Sequence, residues 1–229
     1  MKIRNIGISF GMYLVIVLGF VVLANGADPC DRACLEKLID DLLEAMIAHN
    51  PSQLMLARDV RYTENGVELR LGDGMWGTLS TRGKYSIYVS DPETGQVGFY
   101  GTVDENGGMN YIALRLKVFE LLIEEIEAIV VRPSGMNITP DQKPARPTGQ
   151  VMDEKKHRPQ FLQTVPSTEQ MTRTRLTEIA NSYFTGLANQ TGNFTAPFAK
   201  TCERWENGYP RQTRNRIPIL PKTCPIFSA

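Results

Sequence analysis

The sequence has no excess of charge of either sign, since its 229 residues carry 25 Lys and Arg against 25 Asp and Glu. A net charge of zero provides no long-range attraction for a phosphate backbone, so a nucleic-acid partner is not expected. Charged residues make up 22% of the chain and hydrophobic residues 42%, which is ordinary globular usage. This composition excludes wholesale disorder and a membrane protein with many spans.

Residues that commonly bind metals are scarce. The chain has two histidines, His49 and His157, and its four cysteines form no Cys-x-x-Cys pair. Neither histidine lies at ligand spacing from a cysteine, so the cysteines are expected to form disulfide bonds in preference to binding zinc. We therefore expect no metal.

Several common catalytic motifs are also absent from the sequence. It contains no Gly-x-Ser-x-Gly nucleophile elbow, no phosphate-binding glycine loop, no dinucleotide fingerprint and no His-Glu-x-x-His motif. These absences count against the common serine and zinc hydrolases and against nucleotide-dependent enzymes. A ligand site in this chain is therefore expected to need no cofactor.

The amino terminus has the layout of a secretory signal peptide. Lys2 and Arg4 precede an uncharged apolar run over residues 6–24, and small residues follow at 24–27. We expect residues 1–27 to be removed and the protein to be secreted or periplasmic. The alternative is an uncleaved membrane anchor, because 19 apolar residues are just long enough to cross a bilayer core of about 30 Å. Only that alternative gives the protein a membrane contact.

The cysteines agree with export, because an oxidising compartment favours their pairing. Cys30 and Cys34 are close enough to bridge locally if the chain at Cys30 has not entered the following helix. Cys202 and Cys224 would close a loop across a Pro- and Arg-rich stretch. Four cysteines permit three connectivities, and we expect the pairs Cys30–Cys34 and Cys202–Cys224.

Periodicity divides residues 28–133 into helix and strands. Apolar residues at spacings of three and four from Leu35 to Ile47 predict an amphipathic helix, and Pro51 begins a short second one. The pattern then changes to strand alternation, with an Asn65-Gly66 turn inside the first strand pair. Further strands are expected at 84–90, 96–103, 109–118 and 122–131. A helix followed by a curved antiparallel sheet with one apolar face predicts a cone-shaped α+β roll.

The carboxyl-terminal part divides at a proline-rich stretch. Residues 134–174 are predicted to be a linker or a segment that runs over the surface of the first domain. Apolar residues at helical spacing return between Leu176 and Leu187. The tripeptide at 64–66, Glu-Asn-Gly, recurs at 206–208 at almost the same distance behind a similar helix. This recurrence indicates a duplication. Because the strands that should follow are missing, residues 175–229 are predicted to be a partial second repeat of helices and loop.

These features resemble a known superfamily. They are similar to the SnoaL-like branch of the nuclear-transport-factor-two-like superfamily. The similarity is carried by the helix pair, the run at 60–66, Trp76-Gly77, the hairpin at 91–99 and the strand at 114–118. More narrowly, they resemble a secreted group of bacteria and fungi that is built from two such units, with the second unit truncated here. The resemblance implies a cone whose helices close one side of a curved sheet and leave a pocket. Because that superfamily includes isomerases, cyclases, dehydratases and binding modules, the fold does not fix the function.

Four side chains are the candidates for lining a pocket: Tyr62, Glu64, Trp76 and Arg115. Trp76 lies between two glycine turns and can pack an apolar ligand body, while Glu64 or Arg115 could orient a polar end. No catalytic position of the superfamily matches this sequence residue by residue, so none is assigned. The alternatives are a half-buried sheet position for Tyr62 and a turn-capping carboxylate for Glu64.

Two functions are compatible with these features. The first is an exported domain that binds a small organic molecule in a cofactor-free pocket, with lyase or isomerase activity as an extension. The second is a structural or protein-interaction module that associates through its sheet face, for example as a homodimer. An enclosed volume lined by convergent polar groups favours the first, and an interior filled by Trp76, Phe99 and leucines favours the second.

Amino-terminal sequencing of the exported protein tests the signal peptide. We expect cleavage near Gly26 or Ala27, so that the mature chain begins at about Asp28, because the small residues lie where a signal peptidase cleaves. An exported chain that still begins at Met1 would contradict cleavage and leave the membrane anchor as the explanation.

Overall fold

The computed structural model describes residues 30–132, 148–157, 159–189, 205–206 and 209–210. The expected signal segment, Cys202 and Cys224 lie outside these ranges. Within the described part of the chain, no helix combines the length and the apolarity that a membrane crossing requires.

Helix α1 spans Arg32–Ile47 and covers one side of the sheet. Its amino terminus is capped by Asp31, whose Oδ1 accepts a hydrogen bond of 2.8 Å from the backbone N–H of Cys34. The expected Cys30–Cys34 disulfide is present and ties the chain to this first turn. The apolar face of the helix is fully buried, through Leu35, Ile39, Leu42, Leu43 and Met46.

Six strands follow α1. They are β1 (Leu56–Glu64), β2 (Val67–Leu69), β3 (Leu79–Asp91), β4 (Gln96–Glu105), β5 (Gly108–Phe119) and β6 (Leu122–Val131). Strands β3 to β6 form the three successive antiparallel hairpins predicted from sequence. Short 3-10 helices occupy Pro51–Gln53 and Gly74–Gly77. The α+β class and the helix-plus-curved-sheet architecture are confirmed.

The strand order is β2-β1-β6-β5-β4-β3, and the pairing of β1 with β6 is parallel. The sheet is therefore mixed, whereas the alternation and turn signals of the sequence predict an antiparallel one. The difference arises because β1 and β6 are joined by the whole hairpin array, so no local turn signals their contact. The Asn65 side chain, at the end of β1, holds this strand to β6. Its Nδ2 donates to the carbonyl of Val130 at 3.3 Å, and its Oδ1 accepts from the Val130 N–H at 2.8 Å.

The sheet has two faces with different surroundings. Alternate residues point toward α1 and form the inner face, which contributes Tyr62, Phe99, Ile112 and Leu116 to the buried core. Trp76, from the 3-10 helix between β2 and β3, is buried in the same core. The opposite residues form the outer face, on which Arg115, Glu127 and Tyr100 lie.

A short helix, α2 (Thr148–Asp153), packs on one end of the outer face. Asp153 Oδ1 accepts a 2.6 Å hydrogen bond from the Thr102 hydroxyl and another from the backbone N–H of Lys84. Val151 and Met152 are buried. Part of the segment predicted as a linker at 134–174 thus holds a helix against the first domain.

Helix α3 spans Arg173–Asn189 and confirms the helical prediction for this region. The two-residue strands β7 (Trp205–Glu206) and β8 (Tyr209–Pro210) pair antiparallel, and Glu206 is the first residue of the second Glu-Asn-Gly tripeptide. Beyond residue 175, these elements are all the regular structure that the described residues contain. The partial second repeat and the Cys202–Cys224 disulfide stay predictions.

Glycine at position 149 is required for α2 to dock. A Cβ at this position would lie 2.1 Å from the Met109 carbonyl oxygen, which belongs to the backbone of β5 and cannot move aside. We expect Gly149→Ala to dislodge α2 and to cost about 1–3 kcal/mol of unfolding free energy. Hydrogen exchange should show loss of protection at 148–153. Gln150→Ala, at the exposed neighbouring position, is the matched control, and equal protection in both variants would contradict close docking.

Candidate functional site

A polar cluster is built at one end of the inner face around the guanidinium of Arg132, which directly follows β6. Its Nη2 donates to Glu64 Oε1 at 2.8 Å and to Glu105 Oε1 at 2.7 Å, and its Nε donates to Glu105 Oε2 at 2.7 Å. The two carboxylates come from the ends of β1 and β4 and are almost fully buried, whereas the Arg132 side chain is 41% exposed. Arg132 therefore connects two buried charges to the surface. We call Tyr62, Glu64, Glu105, Asn110 and Arg132 the Arg132 cluster.

Both carboxylate oxygens of Glu64 accept hydrogen bonds. Oε2, the oxygen that does not face Arg132, accepts from the Tyr62 hydroxyl at 3.0 Å and from the Met75 backbone N–H at 2.7 Å. Tyr62 and Glu64 share a face because they are two residues apart on β1. The backbone N–H that Glu64 binds belongs to Met75 in the 3-10 helix Gly74–Gly77, and not to the Asn65-Gly66 turn beside which the sequence-based alternative placed a turn-capping carboxylate.

Glu105 is also held by more than the ion pair. Thr78 donates its hydroxyl to Oε1, and Asn110 donates Nδ2 to Oε2 at 2.6 Å. Three buried polar atoms have no hydrogen-bond partner among the described residues: Trp76 Nε1, a donor, Asn110 Oδ1, an acceptor that belongs to the cluster, and His157 Nδ1, beside Tyr85. Buried polar atoms of this kind are uncommon and mark a place where a ligand or water can bind.

The charge states of the cluster follow from its contacts. Burial alone would raise the pKa of Glu105, but hydrogen bonds from Arg132 and Thr78 outweigh burial and hold this pKa below its ordinary value. Burial and the neighbouring Glu64 carboxylate raise the pKa of Tyr62 far above its usual range. At neutral pH, Tyr62 is therefore a neutral hydrogen-bond donor and Glu105 a carboxylate.

The structure brings together three of the four predicted pocket residues and separates the fourth. Tyr62 packs edge-on against Trp76 with ring centroids 6.3 Å apart, and its hydroxyl bonds to Glu64. Arg115 lies on the outer face, where it donates to Glu127 at 2.6 Å, to Gln96 at 3.0 Å and to Glu125. The separation follows from strand alternation, because Arg115 is out of phase with the inward-facing Leu114 and Leu116.

The interior between α1 and the sheet is filled by apolar side chains. Trp76, Phe99 and several leucines are at most 1% exposed and belong to one continuous core. The sequence analysis took a filled interior as a sign of a structural module, so this packing favours a structural role for the centre of the cone. Among the described residues, polar groups converge beside this core at two places: at the Arg132 cluster, and at Asp40 of α1, which accepts from the Tyr88 hydroxyl at 2.6 Å and pairs with Arg82 at 2.8 Å.

A hollow of about 540 Å³ lies on the outer face. Gly98 and Ala113 form the floor of the hollow, because their side chains are absent or small. The larger side chains of Val89, Tyr100 and Ile129 form its walls. Arg115, Gln96 and Glu127 form its polar end. We call this hollow the outer groove.

The two histidines take no part in either site. His49 is exposed with a positive φ of 52° at the end of α1, and its Nδ1 contacts the Trp76 carbonyl oxygen. The His157 ring stacks on Tyr85 with centroids 4.8 Å apart. The described residues contain no group of three or more His, Cys, Asp or Glu side chains arranged to hold a metal ion.

Glu105 and Arg132 are site residues that were not predicted from sequence, although a signal for both is present. Glu105 is in phase with the inward-facing Val97, Phe99 and Val103 of β4, and Arg132 is in phase with Ile126, Ala128 and Val130 of β6. A charged residue that continues an apolar alternation points into the core and needs a partner. Two such residues of opposite sign predict an ion pair.

Comparisons with known proteins give one family match and several similar solved structures. A family described as a domain of unknown function, DUF8021, matches residues 169–225, about a quarter of the chain. No curated protein matches the sequence.

Solved structures resemble part of the chain. A protein with a cystatin-like fold from Methylobium petroleophilum is 18% identical with a TM-score of 0.37, covering 51% of this chain and 99% of its own. An NTF2-like protein from Cytophaga hutchinsonii is 9% identical with a TM-score of 0.35, covering 42% and 89%. One from Burkholderia xenovorans is 11% identical with a TM-score of 0.34, covering 42% and 88%. Scores this low say nothing about ligand or reaction, and the α+β cone is established by the strand pairing of the chain itself.

Replacing Arg132 should destabilise the protein in a pH-dependent way. Arg132→Ala leaves Glu64 and Glu105 buried without their counter-ion, which we expect to cost about 1–3 kcal/mol at pH 7, allowing for the partial exposure of Arg132. Because the folded-state pKa of Glu105 is depressed, its pairing stabilises the protein above the unfolded-state pKa and loses this effect as pH falls through the folded value. The difference between wild type and variant should therefore shrink below about pH 4.

Urea unfolding at pH 7 and pH 3.5 measures this difference. Arg115→Ala is the matched control, because its carboxylate partners are more exposed and the loss should stay below about 1 kcal/mol. Equal losses in the two variants, or a loss for Arg132→Ala that does not change with pH, would contradict the role assigned to the cluster.

Proposed function

We propose that this protein is an exported domain that binds a small organic molecule at the Arg132 cluster, without a cofactor. The observation that carries the proposal is the pair of unpartnered buried atoms, Trp76 Nε1 and Asn110 Oδ1, beside a cluster that reaches solvent through Arg132. A ligand group that accepts from Trp76 Nε1, or one that donates to Asn110 Oδ1, would supply a missing partner. The Cys30–Cys34 disulfide supports export.

The charges of the cluster limit the class of ligand. Two carboxylates share one guanidinium, so the cluster has an excess of one negative charge. An anionic ligand is disfavoured there, and a neutral or cationic polar group fits best. Since Trp76 and Phe99 fill the interior, the ligand must be small or must extend outward past Arg132.

The geometry supports binding more strongly than catalysis. A general base needs a carboxylate that is free to accept a proton, but Glu64 is engaged by Tyr62, Met75 and Arg132. The Tyr62 proton is already directed at Glu64. A lyase or isomerase reaction would require the substrate to displace at least one of these donors.

A second function is favoured by a separate observation on the outer face. Val89 and Ile129 are 61% and 59% exposed beside the half-exposed Tyr100, and an apolar patch of this kind is typical of an association surface. A homodimer through this face is the expected form. Sedimentation that depends on concentration in the wild type, but not in Ile129→Lys, would support it.

Ligand recovery by mass spectrometry tests the small-molecule proposal. The chain from residue 28 onward is incubated with a small-molecule extract, separated by gel filtration and denatured to release bound compounds. We expect Trp76→Phe, which keeps a ring but removes the Nε1 donor, to retain about tenfold less of the bound compound, as for the loss of one buried hydrogen bond.

Arg115→Gln, on the outer face, is the control and should retain the compound at the wild-type level. Thermal unfolding confirms that each variant is folded. Recovery of no compound with the wild type, or equal recovery with both variants, would contradict a ligand site at the Arg132 cluster.

A further inference from the structure

Three Asn-x-Ser/Thr motifs, the acceptor sequence for N-linked glycans, lie in the carboxyl-terminal half of the chain. Their asparagines are Asn137, Asn189 and Asn193. All three motifs follow the sheet domain, by which we mean residues 30–132. A motif of this kind marks an exposed position in a secreted protein.

The asparagines inside the sheet domain stand in no usable motif. The domain contains four of them, and Asn50 comes nearest to a motif but is excluded by the proline that follows it. The other three lack a hydroxyl residue two positions later. Asn110 is buried and Asn65 holds β1 to β6, so neither could carry a sugar without disturbing the sheet. The acceptor motifs are thus confined to the part of the chain outside this domain.

Among the three acceptors, Asn189 is the one whose place in the fold is described. It is the last residue of α3, and its side chain is exposed. Asn181 and Thr185, which precede it at intervals of four residues, are exposed as well. Residues at this interval lie near one another on a helix surface, so Asn189 ends a polar line that faces solvent.

The covered part of α3 lies before Asn189. Ile179 and Tyr183 are only partly exposed, and Gly186 is buried. Asn189 is exposed beyond these residues, at the carboxyl-terminal end of the helix. A sugar attached there needs no movement of the helix and no loss of its packing.

We propose that Asn189 is an N-glycosylation site of the exported chain. The donor is an oligosaccharide whose first sugar is linked through its anomeric carbon to a polyisoprenyl diphosphate. The side-chain amide nitrogen of Asn189 forms a bond to that carbon, and the bond from the carbon to the diphosphate oxygen breaks. The nitrogen loses one proton, and the lipid diphosphate leaves with the bonding electron pair. No atom is oxidised or reduced, so the reaction needs no further co-reactant.

This inference rests on the export that forms part of the proposed function, because N-linked glycans are found on secreted proteins. The Cys30–Cys34 disulfide supports passage through an oxidising compartment. The inference does not depend on ligand binding at the Arg132 cluster. A glycan is bulky and solubilising, so it would shield the end of α3 from contact with other proteins.

Mass spectrometry of the secreted chain tests the site. The full-length chain is expressed in eukaryotic cells, collected from the medium and treated with peptide N-glycosidase in H₂¹⁸O, which removes the glycan and leaves an ¹⁸O-labelled Asp. Trypsin releases residues 176–200 as one peptide, and fragmentation of this peptide distinguishes position 189 from position 193. We expect the label at position 189, and no label there when the glycosidase is left out.

Four variants separate a glycan from other causes of the label. Asn189→Gln and Thr191→Ala should each abolish the modification at position 189, the first by removing the acceptor and the second by removing the hydroxyl of the motif. Thr191→Ser keeps the motif and should retain it. Asn181→Gln is the matched control and should leave the label unchanged, because Asn181 is exposed on the same helix but stands in no motif. Thermal unfolding shows whether each variant is folded.

An unlabelled position 189 in the secreted wild type, or a label there that survives Thr191→Ala, would overturn the inference. Failure of export is a separate result, since a chain retained inside the cells contradicts the exported function proposed above. A second version, in which a secretion leader of the host replaces residues 1–27, then decides on Asn189 alone.

Discussion

Arg132 shares its guanidinium between two buried carboxylates, and this arrangement joins one end of four neighbouring strands. Glu64 ends β1, Arg132 follows β6, Asn110 lies on β5 and Glu105 ends β4. A buried carboxylate without a counter-ion is costly, so these strand ends cannot separate without exposing or stranding a charge. The same constraint fixes the Trp76 turn, since Glu64 also binds the Met75 N–H.

The local part of the fold was predictable because its determinants are close in sequence. The α1 stripe from Leu35 to Ile47, the Asn65-Gly66 turn and the alternation along β5 each depend on a few neighbouring residues. The Cys30–Cys34 pairing was predictable for the same reason. The parallel contact of β1 with β6 was not, because it joins segments about sixty residues apart with no turn between them.

The candidate site was only partly predictable. Tyr62 and Glu64 could be placed together because they alternate on one strand, and Trp76 could be placed near them because glycine turns flank it. Arg115 was grouped with them by its chemistry, although its phase on β5 assigns it to the outer face. A residue's phase relative to its apolar neighbours thus carries more information about a site than its charge does.

The Asn65 contact with Val130 has a consequence for how the chain folds. It joins β1 to β6, two paired strands that lie about sixty-five residues apart along the chain. Contacts between distant residues are made late, because the entropy of loop closure must be overcome first. During synthesis, the cone therefore cannot complete its sheet until β6 has been made. Before then, the exposed edge of β1 is open to wrong pairing.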